Sequence, residues 1–132
     1  MERTLLIVKP DATNRNLIGH IINRLEKAKF TIVEMRMVKL TKEEAGEFYA
    51  VHKERPFFDE LTTYMTSGKI VPMVLEKENA ISDLRTLIGA TNPEEAASGT
   101  IRDEIGESKQ SNSVHASDST ESADIEIPFF FS

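Results

Sequence analysis

Residues 112–126, NSVHASDSTESADIE, set a single histidine among small, hydroxylated and acidic side chains. His115 is one of three histidines in the sequence, and the absence of cysteine leaves it no thiolate partner for a metal site. Glu126 closes the helix predicted after it, where it could hydrogen-bond one imidazole nitrogen and leave the other free as a nucleophile. The alternative is a histidine with a purely structural role.

The composition predicts a single globular domain over residues 1–132, with 39% hydrophobic and 29% charged residues. No apolar run approaches the length that spans a bilayer, and the N-terminal MERTLLIVKP becomes polar too early for a signal peptide. The lack of cysteine excludes a disulfide framework. We therefore expect a cytoplasmic protein with no membrane partner.

The charge balance argues against nucleic-acid binding. Sixteen basic and 22 acidic residues give a formal net charge of −6, whereas contacts to a phosphate backbone require a broad positive field. A local cluster of Lys and Arg that binds one small anion remains compatible with this balance.

Hydrophobic periodicity predicts strands and helices in alternation. Strands are expected at residues 4–8, 30–40, 70–75 and, for the closing IPFFF segment, 127–131; helices are expected at 17–25, 41–52, 57–66, 79–88 and from Ser117 or Ser119 to Glu126. Thr41 and Glu44 form a capping-box signature, and Gly89 is placed to end the fourth helix. Residues 89–114 are the least regular. This order indicates an α+β sandwich with helices covering one sheet.

Two arginines bracket the irregular segment. Arg85 precedes GATNP (89–93) and Arg102 ends GTIR (99–102), so a loop bearing Thr91 lies between two guanidinium groups. Guanidinium forks bind phosphate oxygens bidentately, which suits a polyphosphate ligand. Ordinary surface arginines are the alternative.

Three other side chains are candidates for ligand contact. Lys9 follows the first predicted strand directly, at the kind of strand end where α/β folds collect ligand groups. Phe57 stands at a predicted helix start and could stack on a planar ligand, and the Tyr49 hydroxyl could reach the same cleft. A solvated lysine, a core phenylalanine and a local tyrosine hydrogen bond are the corresponding structural alternatives.

These signals occur in an order that resembles the nucleoside diphosphate kinase family along essentially the whole chain. The resembling segments are TLLIVKPDA, EFYAVHKERPFF, MTSGKIVPMVLE, LRTLIGATNPEEA, GTIR and NSVHASDSTESADIEI. The resemblance implies a ferredoxin-like βαββαβ sandwich whose four-stranded antiparallel sheet is covered by helices. It also implies ping-pong transfer of the γ-phosphoryl group from a nucleoside triphosphate to a nucleoside diphosphate.

The resemblance also implies roles for individual residues. His115 matches the nucleophile that becomes phosphohistidine, Glu126 the group that orients its imidazole, and Ser117 the serine bonded to that glutamate. The groups that match nucleotide contacts are Lys9, Tyr49 and Asn112 near the ribose 3′-hydroxyl and the transferring phosphate, Phe57 on the base, and Arg85, Thr91 and Arg102 on the phosphates. Mg²⁺ accompanies the nucleotide, and Asp118 matches a position near the metal-bound phosphates.

The sequence departs from the family pattern in three places. Gln110-Ser111 stand where Gly-Arg is usual, so one basic group beside the site is missing, and Ala116 replaces a frequent glycine. The chain stops at Ser132, before the usual extension. The family implies a homo-oligomer, a dimer-based tetramer or hexamer, and we expect the missing extension to weaken the higher assembly but not the chemistry.

Two rival functions can be weighed against this interpretation. A regulator that holds nucleotides without turnover should have lost a group such as His115 or Lys9, and both are present. A ferredoxin-like RNA-binding domain should carry exposed aromatic residues on its strands beside a basic surface, and the sequence predicts neither.

Overall fold

The computed structural model describes residues 1–131 and contains a four-stranded antiparallel sheet of order β2-β3-β1-β4. The strands are β1 (Glu2–Val8), β2 (Thr31–Met35), β3 (Val71–Lys77) and β4 (Val114–Ala116). The predicted α+β class and four-stranded antiparallel sheet are confirmed.

Seven α-helices connect and cover these strands in the described part of the chain. They are α1 (Pro10–Asn14), α2 (Ile18–Lys27), α3 (Lys42–Phe48), α4 (Phe58–Met65), α5 (Ala80–Ile88), α6 (Ile101–Ile105) and α7 (Thr120–Phe130). Short 3-10 turns lie at Ala50–His52 and Pro93–Glu95. Within residues 1–131, no helix is long and apolar enough to cross a membrane.

The central strand β1 supplies apolar side chains to both faces of the sheet. Leu6 and Val8 pack with residues of α2 and α5 on one face, and Leu5 and Ile7 pack with residues of α3, α4 and α7 on the other. All four side chains are fully buried. This double burial explains why the strand reads as a continuous apolar run rather than an alternating one.

Several helix boundaries agree with the sequence patterns. The capping box is present: Glu44 N–H donates to Thr41 Oγ1, and Thr41 N–H donates to the Glu44 carboxylate. The helix that it opens ends at Phe48, earlier than predicted, and a 3-10 turn carries the chain on to His52. Gly89 ends α5 as expected, with φ of 91°.

The predicted closing strand at 127–131 is wrong. Ile127 to Phe130 are the last turn of α7, which continues through Pro128, and the fourth strand is Val114–Ala116 instead. These phenylalanines favour strands, but the helical conformation lets Phe130 bury its ring in the cluster that contains Leu5 and Ile7. Tertiary burial therefore overrides local β-propensity here.

The predicted strand at 30–40 is shorter in the structure. It spans Thr31–Met35, and a bulge between Ile32 and Glu34 interrupts the expected alternation of faces. A single bridge then joins Val38 to Ile70. Pro72 lies beyond the last β2–β3 ladder pair, Met35 with Met73, so the N–H that proline lacks removes no bond of that ladder. Its carbonyl accepts from Arg36 N–H at 3.1 Å.

Two helices were not expected from the sequence. Pro10 begins α1, and the region predicted as irregular at 89–114 contains α6, whose N-cap Thr100 accepts from Asp103 N–H. Both are only five residues long, too short for hydrophobic periodicity to reveal.

Gly89→Ala should lower the free energy of unfolding more than Gly99→Ala. Both glycines have positive φ, but a Cβ at Gly89 would lie 2.5 Å from Thr100 Oγ1, whereas none of the described atoms lies within 4 Å of one at Gly99. Overpacking adds about 1–3 kcal/mol to the backbone strain that both variants share. Urea unfolding of the two variants measures the difference, and equal losses would show that the Thr100 contact is immaterial.

Candidate active site

A cleft of about 670 Å³ opens beside the end of β1. Every predicted site residue except Ser117 lines it: Lys9, Tyr49, Phe57, Arg85, Thr91, Arg102, Asn112, His115, Asp118 and Glu126. They come from separate elements, so the fold rather than sequence proximity brings them together.

His115 lies on β4 within a short hydrogen-bonded chain. Its Nε2 is 3.1 Å from Glu126 Oε1, and the same oxygen accepts from the Ser117 hydroxyl at 2.7 Å. Ser117 is fully buried behind the glutamate, which explains why it does not line the cleft. With Nε2–H donating to the carboxylate, Nδ1 is the ring nitrogen that keeps a free lone pair.

Two aromatic rings fix the position of the imidazole. Phe48 and Tyr49 meet the His115 ring edge-on, with centroids 5.6 and 6.3 Å away. The Tyr49 hydroxyl is buried, and within residues 1–131 it has no hydrogen-bond partner. Burial, and then the charge of Glu126, raise the pKa of Tyr49, so the phenol stays protonated and available as a donor.

The cleft collects cationic groups in a protein whose net charge is −6. Burial, and secondarily the charge of Arg102, lower the pKa of Lys9 to about 8, although Asp11 opposes the shift. Burial and the neighbouring Arg85 lower the pKa of Arg102 to about 10. Cations whose pKa values are lowered by burial and by neighbouring positive charge are stabilised strongly when an anion enters the cleft.

Arg102 also joins the irregular segment to the sheet. One guanidinium nitrogen donates to Gly89 O at 2.9 Å and another donates to Val114 O at 2.8 Å. Its buried Nε has no hydrogen-bond partner among residues 1–131. The side chain therefore fixes the start of β4 while keeping one donor unsatisfied.

Asn112 connects three parts of the rim. Its amide nitrogen donates to Thr91 O at 3.0 Å and to Lys109 O at 2.9 Å, while its oxygen accepts from Lys9 Nζ at 2.9 Å. These bonds place the lysine head and the loop bearing Thr91 at one side of the cleft.

Phe57 is the N-cap of α4 and leaves its ring 47% exposed at the opening. The His52 ring packs against it with centroids 5.4 Å apart. An exposed aromatic face in a cleft that also collects cations suits a ligand with a planar group at one end and anionic groups at the other.

Gln110 and Ala116, which the sequence marked only as departures from the family pattern, also line the cleft. The sequence patterns did not single out the other lining residues: Phe48, Val51, His52, Leu61, Lys109 and Ser122. Phe48 and His52 lie within the segment EFYAVHKERPFF, so their nearness to Tyr49 and Phe57 was a usable signal. No sequence signal marked Lys109, because it lies in a segment without regular secondary structure. It supplies a basic group to the lining, whereas Ser111, at the position where the family usually has arginine, does not line the cleft.

Asp118 follows the β4 strand at the edge of the cleft. A hydrogen bond from Ser122 is the main cause that lowers the pKa of its carboxyl group, so the group is ionised at neutral pH. Among residues 1–131, no cluster of three or more His, Cys, Asp or Glu side chains could hold a metal ion unaided. A cation bound here would need oxygen ligands from elsewhere.

Known proteins match this chain over almost its full length. The family model described as nucleoside diphosphate kinase matches residues 2–132. The nucleoside diphosphate kinase of Chloroherpeton thalassium is 61% identical over 132 residues, which cover 100% of this chain and 94% of that protein. The enzyme of Chlorobium chlorochromatii is 59% identical with the same coverage.

Solved structures agree with these relatives. The Aquifex aeolicus nucleoside diphosphate kinase is 51% identical and superposes with a TM-score of 0.97, over 99% of this chain and 95% of that one. The Halobacterium salinarum enzyme, solved in complex with CDP, is 41% identical with a TM-score of 0.95, over 98% and 87% of the two chains. This chain therefore belongs to the nucleoside diphosphate kinase family, as its sequence predicted, and it is an enzyme that transfers phosphoryl groups between nucleotides.

Proposed function

We propose that His115 carries the phosphoryl group between a nucleoside triphosphate and a nucleoside diphosphate. The observation that carries this proposal is the chain from Ser117 to Glu126 to His115 Nε2, which holds one imidazole nitrogen and leaves Nδ1 as the nucleophile. Phosphoryl transfer depends mainly on the positioning of the reacting groups and on charge neutralisation, and an imidazole fixed in this way meets the first requirement.

The reaction consists of two half-reactions at one site. The Nδ1 lone pair forms a bond to the γ-phosphorus as the bond from phosphorus to the β–γ bridging oxygen breaks, and the diphosphate leaves with that electron pair. A second nucleoside diphosphate then attacks the phosphohistidine with its terminal oxygen, which restores the imidazole. Glu126 stabilises the positive charge that the ring acquires on attack.

The cations that line the cleft neutralise the polyphosphate. Arg85 and Arg102 present guanidinium groups, Thr91 lies on the loop between them, and Lys9 is fixed by Asn112 beside the nucleophile. We assign the buried Tyr49 hydroxyl to a donor role toward the nucleotide sugar or the transferring phosphate. Charge spread over the transferring oxygens in the transition state is what these groups stabilise.

We propose that Mg²⁺ is the cofactor and that it arrives with the nucleotide. The single ionised carboxylate of Asp118 suits an ion that takes most of its ligands from phosphates and water. When bound, Mg²⁺ supplies charge neutralisation on the leaving diphosphate.

We assign the nucleotide base to the exposed ring of Phe57. Stacking depends on a π-face that every base possesses, so this contact favours nucleotides without selecting among bases. The broad substrate range expected of such an enzyme follows from using the base for affinity and the phosphates for chemistry.

We further propose a homo-oligomer built from a symmetric dimer, assembled further into a tetramer or hexamer. The β2 strand is an edge of the sheet, and Met35 and Met37 are 49% and 53% exposed on and beside it. An exposed apolar edge is covered in both copies at once by isologous pairing. A single-domain, cytoplasmic protein without nucleic-acid partners remains our expectation from composition.

His115→Ala should abolish phosphoryl transfer while nucleotide affinity changes little, because the nucleophile contributes little to ground-state binding. Steady-state transfer from ATP to dCDP and equilibrium binding of ADP measure the two effects. His20→Ala, which alters a histidine paired with Glu104 outside the cleft, is the control and should transfer normally. Ping-pong turnover near the wild-type rate in His115→Ala would refute the mechanism.

Phe57→Ala should weaken binding of every nucleotide by roughly one to two decades, because stacking on a base contributes about 1–3 kcal/mol. Phe57→Tyr keeps the π-face and should keep the affinity. Calorimetric titration with ADP, GDP and CDP tests both variants. A loss confined to purines or to pyrimidines would mean that Phe57 reads base identity.

Met37→Glu should weaken the dimer, because it places a charge on the apolar edge beside β2. Ile125→Glu is the matched control, since Ile125 is an apolar residue that is 75% exposed and belongs to α7 rather than to the β2 edge strand. Light scattering over a dilution series gives the mass of each. A wild-type protein that is a fully active monomer at all concentrations would contradict the dimer.

A further inference from the structure

Ser113 follows Asn112 directly, lies two residues before His115 and has an uncommon backbone conformation. Its φ is 76°, in the left-handed region that residues other than glycine rarely adopt, and it is fully buried. Such a conformation persists only where the surrounding structure enforces it. Asn112 precedes it and β4 begins directly after it, so its conformation sets the relation between the rim of the cleft and the strand of His115.

The buried carboxylate of Asp11 enforces this conformation. One oxygen accepts from the Tyr64 hydroxyl and, at 3.3 Å, from Ser113 N–H. The other accepts from the Ser113 hydroxyl at 3.0 Å and from Arg15 Nη2 at 3.1 Å. The Asp11 side chain is only 4% exposed, and the proposed mechanism does not use it. A buried anion with four donors from three other residues is a rigid anchor.

The fixed conformation of Ser113 also constrains Lys9, which it hydrogen-bonds, and Asn112, which precedes it. The Lys9 backbone N–H donates to Ser113 O at 2.9 Å, and Lys9 Nζ donates to Asn112 Oδ1 at the same distance. We propose that Asp11 is a positioning residue for phosphoryl transfer: through Ser113 it fixes the Lys9–Asn112 pair beside His115. The proposal rests on the function assigned to that pair above.

The charge of Asp11 has a second consequence. The charged and titratable groups that face Lys9 are Arg102 from α6, Asp11 from α1 and Tyr64 from α4, and His115 of β4 opens on the same cleft. Asp11 is the group whose negative charge raises the pKa of Lys9 against burial and Arg102. Loss of that charge would deprotonate Lys9 at a lower pH, so the alkaline limb of kcat/KM should move to lower pH.

Asp11→Asn tests both consequences in the full-length protein. With the amide nitrogen in the place of Oδ2, the side chain no longer accepts from Arg15 or from the Ser113 hydroxyl, and Ser113 keeps only the bond from its N–H to Oδ1. The anchor of Ser113 is therefore weakened. We expect kcat to fall roughly tenfold or more, with a smaller change in KM, because a displacement of about 1 Å at a reacting site has effects of this size. Asp59→Asn makes the same chemical change in a side chain that is 90% exposed and should leave both kcat and the pH profile unchanged.

A second substitution separates positioning from general destabilisation. Glycine adopts positive φ without an anchor, so Ser113→Gly added to Asp11→Asn should recover much of kcat while the shifted alkaline limb remains. Should Asp11→Asn fail to fold, Tyr64→Phe removes one donor to the carboxylate and should lower kcat by about two- to fivefold, a milder form of the same displacement.

Two results would overturn the role of Asp11. One is a wild-type kcat and pH profile in Asp11→Asn, or a wild-type kcat in Tyr64→Phe if only that variant folds. The other is a double variant whose kcat is no higher than that of Asp11→Asn. Phosphorylation of wild-type His115 by ATP is measured first. A wild type that forms no phosphohistidine refutes the proposed function, whereas a phosphorylated wild type with an unaffected Asp11→Asn refutes only the positioning role.

Discussion

The pairing of β1 with β4 is the constraint on which the rest of the site depends. Ile7 lies opposite His115 in this ladder, and Ile7 is fully buried at the centre of the sheet. A slip of one residue would turn His115 to the other face and move it away from Glu126, so the apolar packing of β1 fixes the register of the nucleophile. Lys9 follows directly after the strand, so the same pairing places the cation to which we assign a catalytic role. In the proposed mechanism, one strand therefore serves both core packing and catalysis.

The distribution of charge explains how an acidic protein binds a polyanion. Acidic residues outnumber basic ones along the chain, yet Lys9 and Arg102 are only 7% and 5% exposed in the cleft. Burial lowers the pKa of both, helped by Arg102 in the case of Lys9 and by Arg85 in the case of Arg102. Burying cations is costly unless an opposite charge compensates them. In the proposed function, a nucleotide polyphosphate provides that compensation. The same unbalanced charge that costs stability in the free protein then supplies affinity for the substrate and stabilises the charge that develops during transfer.

Sequence patterns predicted the parts of the structure that have a local cause. The capping box at Thr41 and the helix end at Gly89 follow from side-chain hydrogen bonding and backbone freedom over a few residues. Local patterns did not predict that α7 continues to Phe130, because burial of Phe130 beside the distant strand β1 overrides its β-propensity. Residue patterns marked several candidate site residues and the family resemblance implied a role for each, but neither showed how these residues meet in space. The anchor between Asp11 and Ser113, 102 positions apart, has no local pattern and required the fold.

The central claim, a phosphoryl group carried covalently on His115, is tested most directly by trapping the intermediate. The protein is incubated with Mg²⁺ and γ-labelled ATP, separated from nucleotide and then given GDP or dCDP. The account predicts acid-labile label on the protein, located at His115 by peptide analysis, that transfers quantitatively to either diphosphate. A protein that stays unlabelled while transfer proceeds, or label on another residue that chases equally well, would contradict it.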